Sequence, residues 1–269
     1  MKTIKQTCPV PRAPKCAPKF FGALLIMAWC TVHDSRSTVV WADEAAKNAD
    51  ATAGTTSPML EAVDIPTADI LDPKTFSTTF RFYSEGGITS RLLLGPFKRL
   101  NLGFYLDTQR MIGGQDPHLI RPSVFIKIRF FDGTDILPAL AAGYDNQGYL
   151  YQESIKDFLH KEKGLYLVGS HEIFIPDFEL HAGINFPRID ESGAPAGFFG
   201  ATWKVVPSFA LMGEYDNVQS LPDNRFNLGG RFWVTPFFNV DLAARNVGRG
   251  ASRGAERIVR INYVTNFPF

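Results

Sequence analysis

Arg257-Ile-Val-Arg-Ile-Asn-Tyr-Val-Thr-Asn-Phe-Pro-Phe269 is the stretch whose reading decides the fold. Counting back by twos from Phe269, the residues Phe267, Thr265, Tyr263, Ile261 and Val259 share one face. Pro268, Asn266, Val264, Asn262 and Arg260 share the other. A period of two describes a strand with a different solvent on each face. Two environments supply that: a sheet with lipid outside and water inside, or the half-buried edge of a soluble sheet. The rest of the chain has to choose between them.

The same period runs upstream to Thr75. It predicts twelve strands, at about 76–84, 87–95, 99–109, 121–131, 136–145, 164–174, 177–187, 197–205, 208–217, 224–234, 237–246 and 256–267. Leu100, Leu102, Phe104 and Leu106 alternate with Asn101, Gly103, Tyr105 and Asp107. Phe238, Val240, Leu242 and Ala244 alternate with Asn239, Asp241 and Arg245. Each segment is close to the ~10 residues that a tilted membrane strand needs. The connections alternate in length. Short turns such as Gly95-Pro96-Phe97-Lys98, Ile175-Pro176-Asp177 and Thr235-Pro236-Phe237 alternate with longer loops at 110–120, 146–163, 188–196, 218–223 and 247–255. Outer-membrane barrels combine short periplasmic turns with longer external loops. Phe97, Phe130, Phe131, Phe174, Phe178, Trp203, Phe209, Trp233, Phe237 and Phe238 all lie near short turns, as an interfacial aromatic girdle would. The expected fold is therefore all-β: a closed, antiparallel, up-and-down transmembrane barrel of about twelve strands over 72–269. Closure also meets a physical demand, because no open sheet edge survives in hydrocarbon.

Composition agrees. Apolar residues make up 45% of the chain, yet mean hydropathy is −0.06 and no run of 18 apolar residues occurs. Residues 1–42 read as a secretory signal peptide: a basic stretch, the apolar run Phe20 to Val32, then Val40-Trp41-Ala42. All three cysteines lie there (Cys8, Cys16 and Cys30), so the remainder has no thiol for a disulfide or a metal. Without that segment the chain carries 22 basic and 26 acidic residues, and no basic cluster suggests nucleic acid. Residues 43–71 show no sustained period and are expected to be a flexible or loosely docked periplasmic segment.

Two resemblances follow. The carboxyl-terminal strand resembles the closing strand of bacterial outer-membrane barrels, which implies that Tyr263, Phe267 and Phe269 form a membrane-insertion signal read by the barrel-insertion machinery. The stretches "FRFYSEGGITSRLLLG", "RLNLGFYLD", "KGLYLVGSHEI", "FELHAGINF" and "RIVRINYV", with "GYDNQGY" (Gly143 to Tyr149) and "GEYD" (Gly213 to Asp216), resemble uncharacterised outer-membrane barrels related to YjbH. That family is associated with exopolysaccharide production or export. The resemblance implies a non-enzymatic envelope protein in contact with outer-membrane lipid, with a structural role or one in passage of a polar solute or polysaccharide. It brings no catalytic motif and no cofactor.

The alternation places Arg81, Arg91, Asp107, Lys127, Arg129, Asp145, Glu179, Lys204, Glu214, Asp216, Arg231, Asp241, Arg245 and Arg260 in the lumen. Charges of both signs at that density are expected to pair across a narrow barrel, either as a rigid polar filling or as the wall of a hydrophilic path. His171 and His181 raise a register question. A turn centred on Pro176 sets His171 opposite His181 near Glu179, a conceivable Zn²⁺ pair. A shift of one residue sets Ser170 opposite His181 and turns His171 outward. Ser170 and His181 are also the local candidates for a lipid- or polysaccharide-modifying enzyme, the competing function. In the longest loop, Ile155, Phe158 and Leu159 have helical spacing, which predicts a short helix, folded over the external mouth or into the lumen.

Overall fold

A computed structural model describes residues 56–154, 156–160, 162–187, 195–218, 224–248 and 254–267. The signal-peptide segment 1–42, residues 43–55, and Pro268 and Phe269 lie outside the described residues. The strands are β1 (Thr75–Tyr83), β2 (Gly87–Phe97), β3 (Leu100–Gln109), β4 (His118–Leu119), β5 (Ser123–Phe131), β6 (Ala139–Asp145), β7 (Tyr149–Gln152), β8 (Asp157–His160), β9 (Gly164–Glu172), β10 (Phe178–Phe186), β11 (Ala196–Val206), β12 (Phe209–Val218), β13 (Arg225–Thr235), β14 (Phe238–Arg245) and β15 (Glu256–Asn266). Every neighbouring pair is antiparallel. β15 pairs with β1, from Thr75 opposite Asn266 to Phe82 opposite Val259, and the β2–β3 pairing completes the ring. Twelve strands form the wall, as the period of two predicts. β4 only extends the β3 edge, and β7 and β8 form a separate hairpin.

The wall sorts its residues by solvent. Phe104, Val124, Ile128, Leu228, Phe232 and Leu242 point outward and are exposed. Lys127, Asn101, Asn227, Asn239, Asp241 and Arg245 point inward and are buried. A closed wall with an apolar outside and a polar inside is the architecture of an outer-membrane β-barrel. The girdle beside the short turns includes the Phe209–Phe232 pair (ring centroids 4.7 Å apart) and the Phe178–Trp203 and Phe237–Tyr263 pairs. Trp233 does not belong to it. It points inward, and its indole N–H donates to Ser57.

Two expectations are corrected. Within 43–71, the described part, 56–71, is not loosely docked. It threads the lumen, and Ala62, Val63, Ile65, Thr67, Ala68 and Leu71 are fully or almost fully buried. The segment has no period because it runs as irregular chain between two unlike walls and forms no lattice of its own. The 146–163 loop forms the β7–β8 hairpin, with Tyr149 opposite His160, and Phe158 and Leu159 lie in a strand where the spacing predicts a helix. Tyr151 and Phe158 stack edge to face at 5.4 Å across it.

Candidate functional site: a plugged, arginine-lined lumen

The plug enters beside the turn joining β13 and β14. The Ser57 N–H donates to the Pro236 carbonyl, Lys204 Nζ to Thr56 Oγ1, and Asn239 Nδ2 to Ser57 Oγ. It then folds back on itself: Ala62 N–H donates to the Ile65 carbonyl, and Thr67 Oγ1 to the Met59 carbonyl. It leaves toward β1, with the Leu71 N–H on Asn101 Oδ1.

Its two sides meet different surfaces. Ala62, Val63, Ile65 and Ala68 pack on an apolar wall that includes Ala141, Val168, Phe198 and Met212, from β6, β9, β11 and β12. Gly200 on β11 is needed there, because an added Cβ would stand 2.8 Å from the Gly213 carbonyl oxygen as well as 2.6 Å from Ile65 Cδ1. The acids face the other side. Among the described residues, the inward faces of β13, β14, β15, β1 and β2 carry Arg81, Arg91, Arg225, Arg231, Arg245 and Arg260 against only Asp241 and Glu256. Glu61 accepts from Arg91 at 3.0 Å and from Arg260 at 2.5 Å. Asp64 accepts from Arg81 at 2.5 Å and from Arg245 at 3.0 Å. Arg260 also reaches Asp241 at 2.6 Å and the carbonyls of Ala62 and Val63. Arg231 holds Asp241 with two hydrogen bonds, at 2.7 and 2.9 Å. At the tip, the N–H groups of Val63, Asp64 and Ile65 all donate to the Glu214 carboxylate, which Asn227 steadies at 2.6 Å. The expected charge pairing therefore runs by two routes: through the plug, to Glu61 and Asp64, and directly between wall strands, to Asp216, Asp241 and Glu256.

Burial alone would raise the Glu61 carboxyl above its ordinary 4.5, but the guanidiniums of Arg91, Arg260 and Arg81 outweigh it and hold the group at about 2. Burial likewise opposes Asp64, and Arg245 and Arg81 keep it well below its usual range. Asp69 is raised by burial, which Lys127 and Arg129 offset only in part. The sign for stability follows. A carboxyl lowered in the folded state adds stability above its unfolded value and loses it as pH falls through its folded one. Plug protection from hydrogen exchange should therefore weaken as pH falls from about 4.5 to 2 and Glu61 is protonated, with a contribution of opposite sign from Asp69. Weakening that is already complete at pH 4.5 would contradict the ion-pair account.

Above the plug, the β7–β8 hairpin folds into the external mouth. The Tyr149 ring lies under two guanidiniums, with Arg81 Cζ at 4.0 Å and Arg245 Cζ at 4.7 Å from its centroid. His160 Nδ1 lies 3.2 Å from Arg225 Nη1, and Lys163 pairs with Asp216. A cavity of about 660 Å³ lies beside the hairpin, lined by residues that include Arg121, Tyr144, Tyr151 and Phe158. A second, of about 630 Å³, opens at the short-turn end beside Arg129, Glu172 and Glu179.

Of the fourteen lumen charges expected from sequence, Arg81, Arg91, Arg231, Asp241, Arg245, Arg260, Glu214 and Asp216 meet in this network. Lys127 donates to the Leu60 carbonyl of the plug at 3.1 Å. Asp107 accepts from Tyr83 and Thr89, and Asp145 accepts from Tyr105. Arg129 reaches outward to Asp132, Lys204 binds Thr56, and Glu179 lies 3.9 Å from His181. Glu61, Asp64, Tyr149 and Glu256 were not identified from sequence. One signal for the first two exists: the fourteen charges are eight bases and six acids, so the lumen asks for acids from elsewhere.

The β9–β10 register sets Ser170 opposite His181 and His171 opposite Leu180. The two-histidine arrangement does not form, and among the described residues no group of three metal-ligating side chains is assembled. Ser170 Oγ lies 2.7 Å from His181 Nδ1, and His181 Nε2 lies 3.0 Å from Thr202 Oγ1. Both residues are buried on the lumen face, and Ser170 Oγ already accepts the Ala68 N–H of the plug at 2.8 Å. Lipid on the outer wall cannot reach them.

No family model matches the sequence, and no curated protein matches it. Solved outer-membrane barrels are similar in part. A KdgM porin in complex with disordered oligogalacturonate is 12% identical, over 70% of this chain and 98% of that one, with a TM-score of 0.46. An outer-membrane channel from Pseudomonas putida F1 is 11% identical, over 76% and 100%, with a TM-score of 0.45. A NanC porin is 9% identical, over 71% and 99%, with a TM-score of 0.39.

Proposed function

We propose that the protein is a non-enzymatic, gated outer-membrane passage for a polar solute, closed in this state by residues 56–71 within and by the β7–β8 hairpin at the external mouth. One observation carries the reading. Arg81 and Arg91 pair with Asp64 and Glu61, and Arg245 and Arg260 share those two acids, on a segment that is not part of the wall, so moving it uncovers a hydrophilic path lined by positive charge. A barrel built only for rigidity could place those acids on its own strands, as it does with Asp241. The sequence resemblance to YjbH-related barrels directs the passage toward exopolysaccharide. In planar bilayers the full chain should be largely closed, and deletion of 56–71 should give discrete conductance steps. A deletion variant that keeps heat-modifiable migration yet conducts no more than the full chain would refute gated passage.

The same reading assigns Tyr263, Phe267 and Phe269 to contact with the barrel-insertion machinery. Phe267 is the last described residue, and its N–H closes on the Lys74 carbonyl at 2.8 Å. Removing Phe269 should lower the inserted fraction severalfold and leave the unfolding midpoint of inserted barrels unchanged. Equal insertion would refute the assignment.

A further inference from the structure

We propose that Arg81 and Arg245 form an anion-binding site for an acidic saccharide, in which Asp64 of the plug is the built-in occupant and Tyr149 of the hairpin is the cover. The proposal rests on the passage reading above and names its substrate class. Arg81 and Arg245 come from different strands, β1 and β14, and converge on one carboxylate, with Asp64 Oδ1 at 2.5 and 3.0 Å from their nitrogens. The site is enclosed: the Arg245 side chain is 0% exposed, Arg81 4% and Asp64 5%. A planar guanidinium can bind a carboxylate or sulfate through two parallel hydrogen bonds. Asp64 uses only one nitrogen of Arg81, whose Nε is buried and has no hydrogen-bond partner. The tether of the plug therefore leaves binding capacity that a free anionic group can use. Arg245 keeps Glu256 as a second partner at 2.9 Å, so it stays oriented when Asp64 leaves.

The position makes this site a switch. The plug touches the two guanidiniums through Asp64, and the hairpin stacks on the same two through Tyr149. An acidic group that takes both guanidiniums must displace Asp64 and shift Tyr149, so binding loosens the inner and outer closures together. A neutral sugar has no such differential affinity and shifts nothing.

The test uses the full chain and a linear tetrasaccharide of glucuronate, with maltotetraose as the neutral control. The Asp64→Asn variant should bind the glucuronate chain at least about tenfold tighter than the wild type by titration calorimetry, since the internal competitor is gone. Adding Arg81→Gln to that variant should abolish the gain, and maltotetraose should respond in neither. External glucuronate tetrasaccharide, but not maltotetraose, should raise wild-type conductance. Unchanged affinity in a heat-modifiable Asp64→Asn variant, equal tightening for maltotetraose, or, where deletion of 56–71 does conduct, binding without a rise in wild-type conductance would each overturn the proposal. If deletion of 56–71 fails to conduct while Asp64→Asn still tightens glucuronate binding, the passage reading falls and the anion site stands. If the deletion conducts and Asp64→Asn changes nothing, the anion site alone falls.

Discussion

Arg260→Ala should unfasten the plug and destabilise the barrel by about 3–5 kcal/mol, the usual cost of removing one partner from a buried charge network. Arg260 touches three consecutive plug residues, Glu61, Ala62 and Val63. It bridges Asp241 of the wall to Glu61 of the plug and also donates to the Ala62 and Val63 carbonyls. Alanine leaves those two carbonyls short of a donor. It leaves Glu61 to Arg91 and Asp241 to Arg231, with no cation joining them. Lysine should restore only part of the loss, because one ammonium cannot span the fork of contacts that a guanidinium makes. The chain beyond residue 30 has no cysteine, so Ala62→Cys offers a clean reporter. Ala62 is fully buried, and a membrane-impermeant maleimide should label that cysteine slowly in the parent and at least about tenfold faster with Arg260→Ala added. Equal labelling rates together with an unchanged urea midpoint would show that the apolar face alone secures the plug.

Glu214→Ala should have the second large effect, through the tip of the plug. Three consecutive buried N–H groups converge on this carboxylate at 2.8–3.1 Å. Each buried donor left unmade costs about 1–3 kcal/mol, so alanine should cost several kcal/mol unless water enters the vacated volume. Glutamine keeps the shape but replaces one acceptor oxygen with an NH₂ that faces other donors, and it should fall between alanine and wild type. Hydrogen exchange at Val63, Asp64 and Ile65 reads the effect directly. It should rise at least about a hundredfold in Glu214→Ala, while amides in the β9–β10 ladder stay protected. Unchanged exchange at the three tip amides would show that Glu214 does not anchor them. The two substitutions probe different bonds of one segment, so their effects should not add.

The barrel was legible from sequence because the wall is a lattice. Every strand answers the same two solvents, so Phe226, Leu228 and Phe232 alternate with Asn227 and Arg231 without reference to any other strand. The positions of the turns follow from the same rule, and Pro207 and Pro236 mark places where the ladder needs no donor. The inward charges were therefore found individually. Their partners were not, since a period of two gives the face of Arg81 and says nothing about what lies opposite it. Ser170 and His171 could exchange roles under a shift of one residue, and only the paired strands fix that register.

The sequence by itself thus determined the fold, the two faces of each strand and the excess of basic over acidic lumen residues, all of them local or additive properties of the chain. Tertiary structure decided where the balancing acids come from. Glu61 and Asp64 lie in a stretch with no period, and they reach Arg91, Arg260, Arg81 and Arg245 only because the closed wall turns those arginines toward one enclosed volume. The partner of a buried charge is a long-range fact, and so the plug, the Tyr149 cover and the switch between them were visible only in the folded barrel.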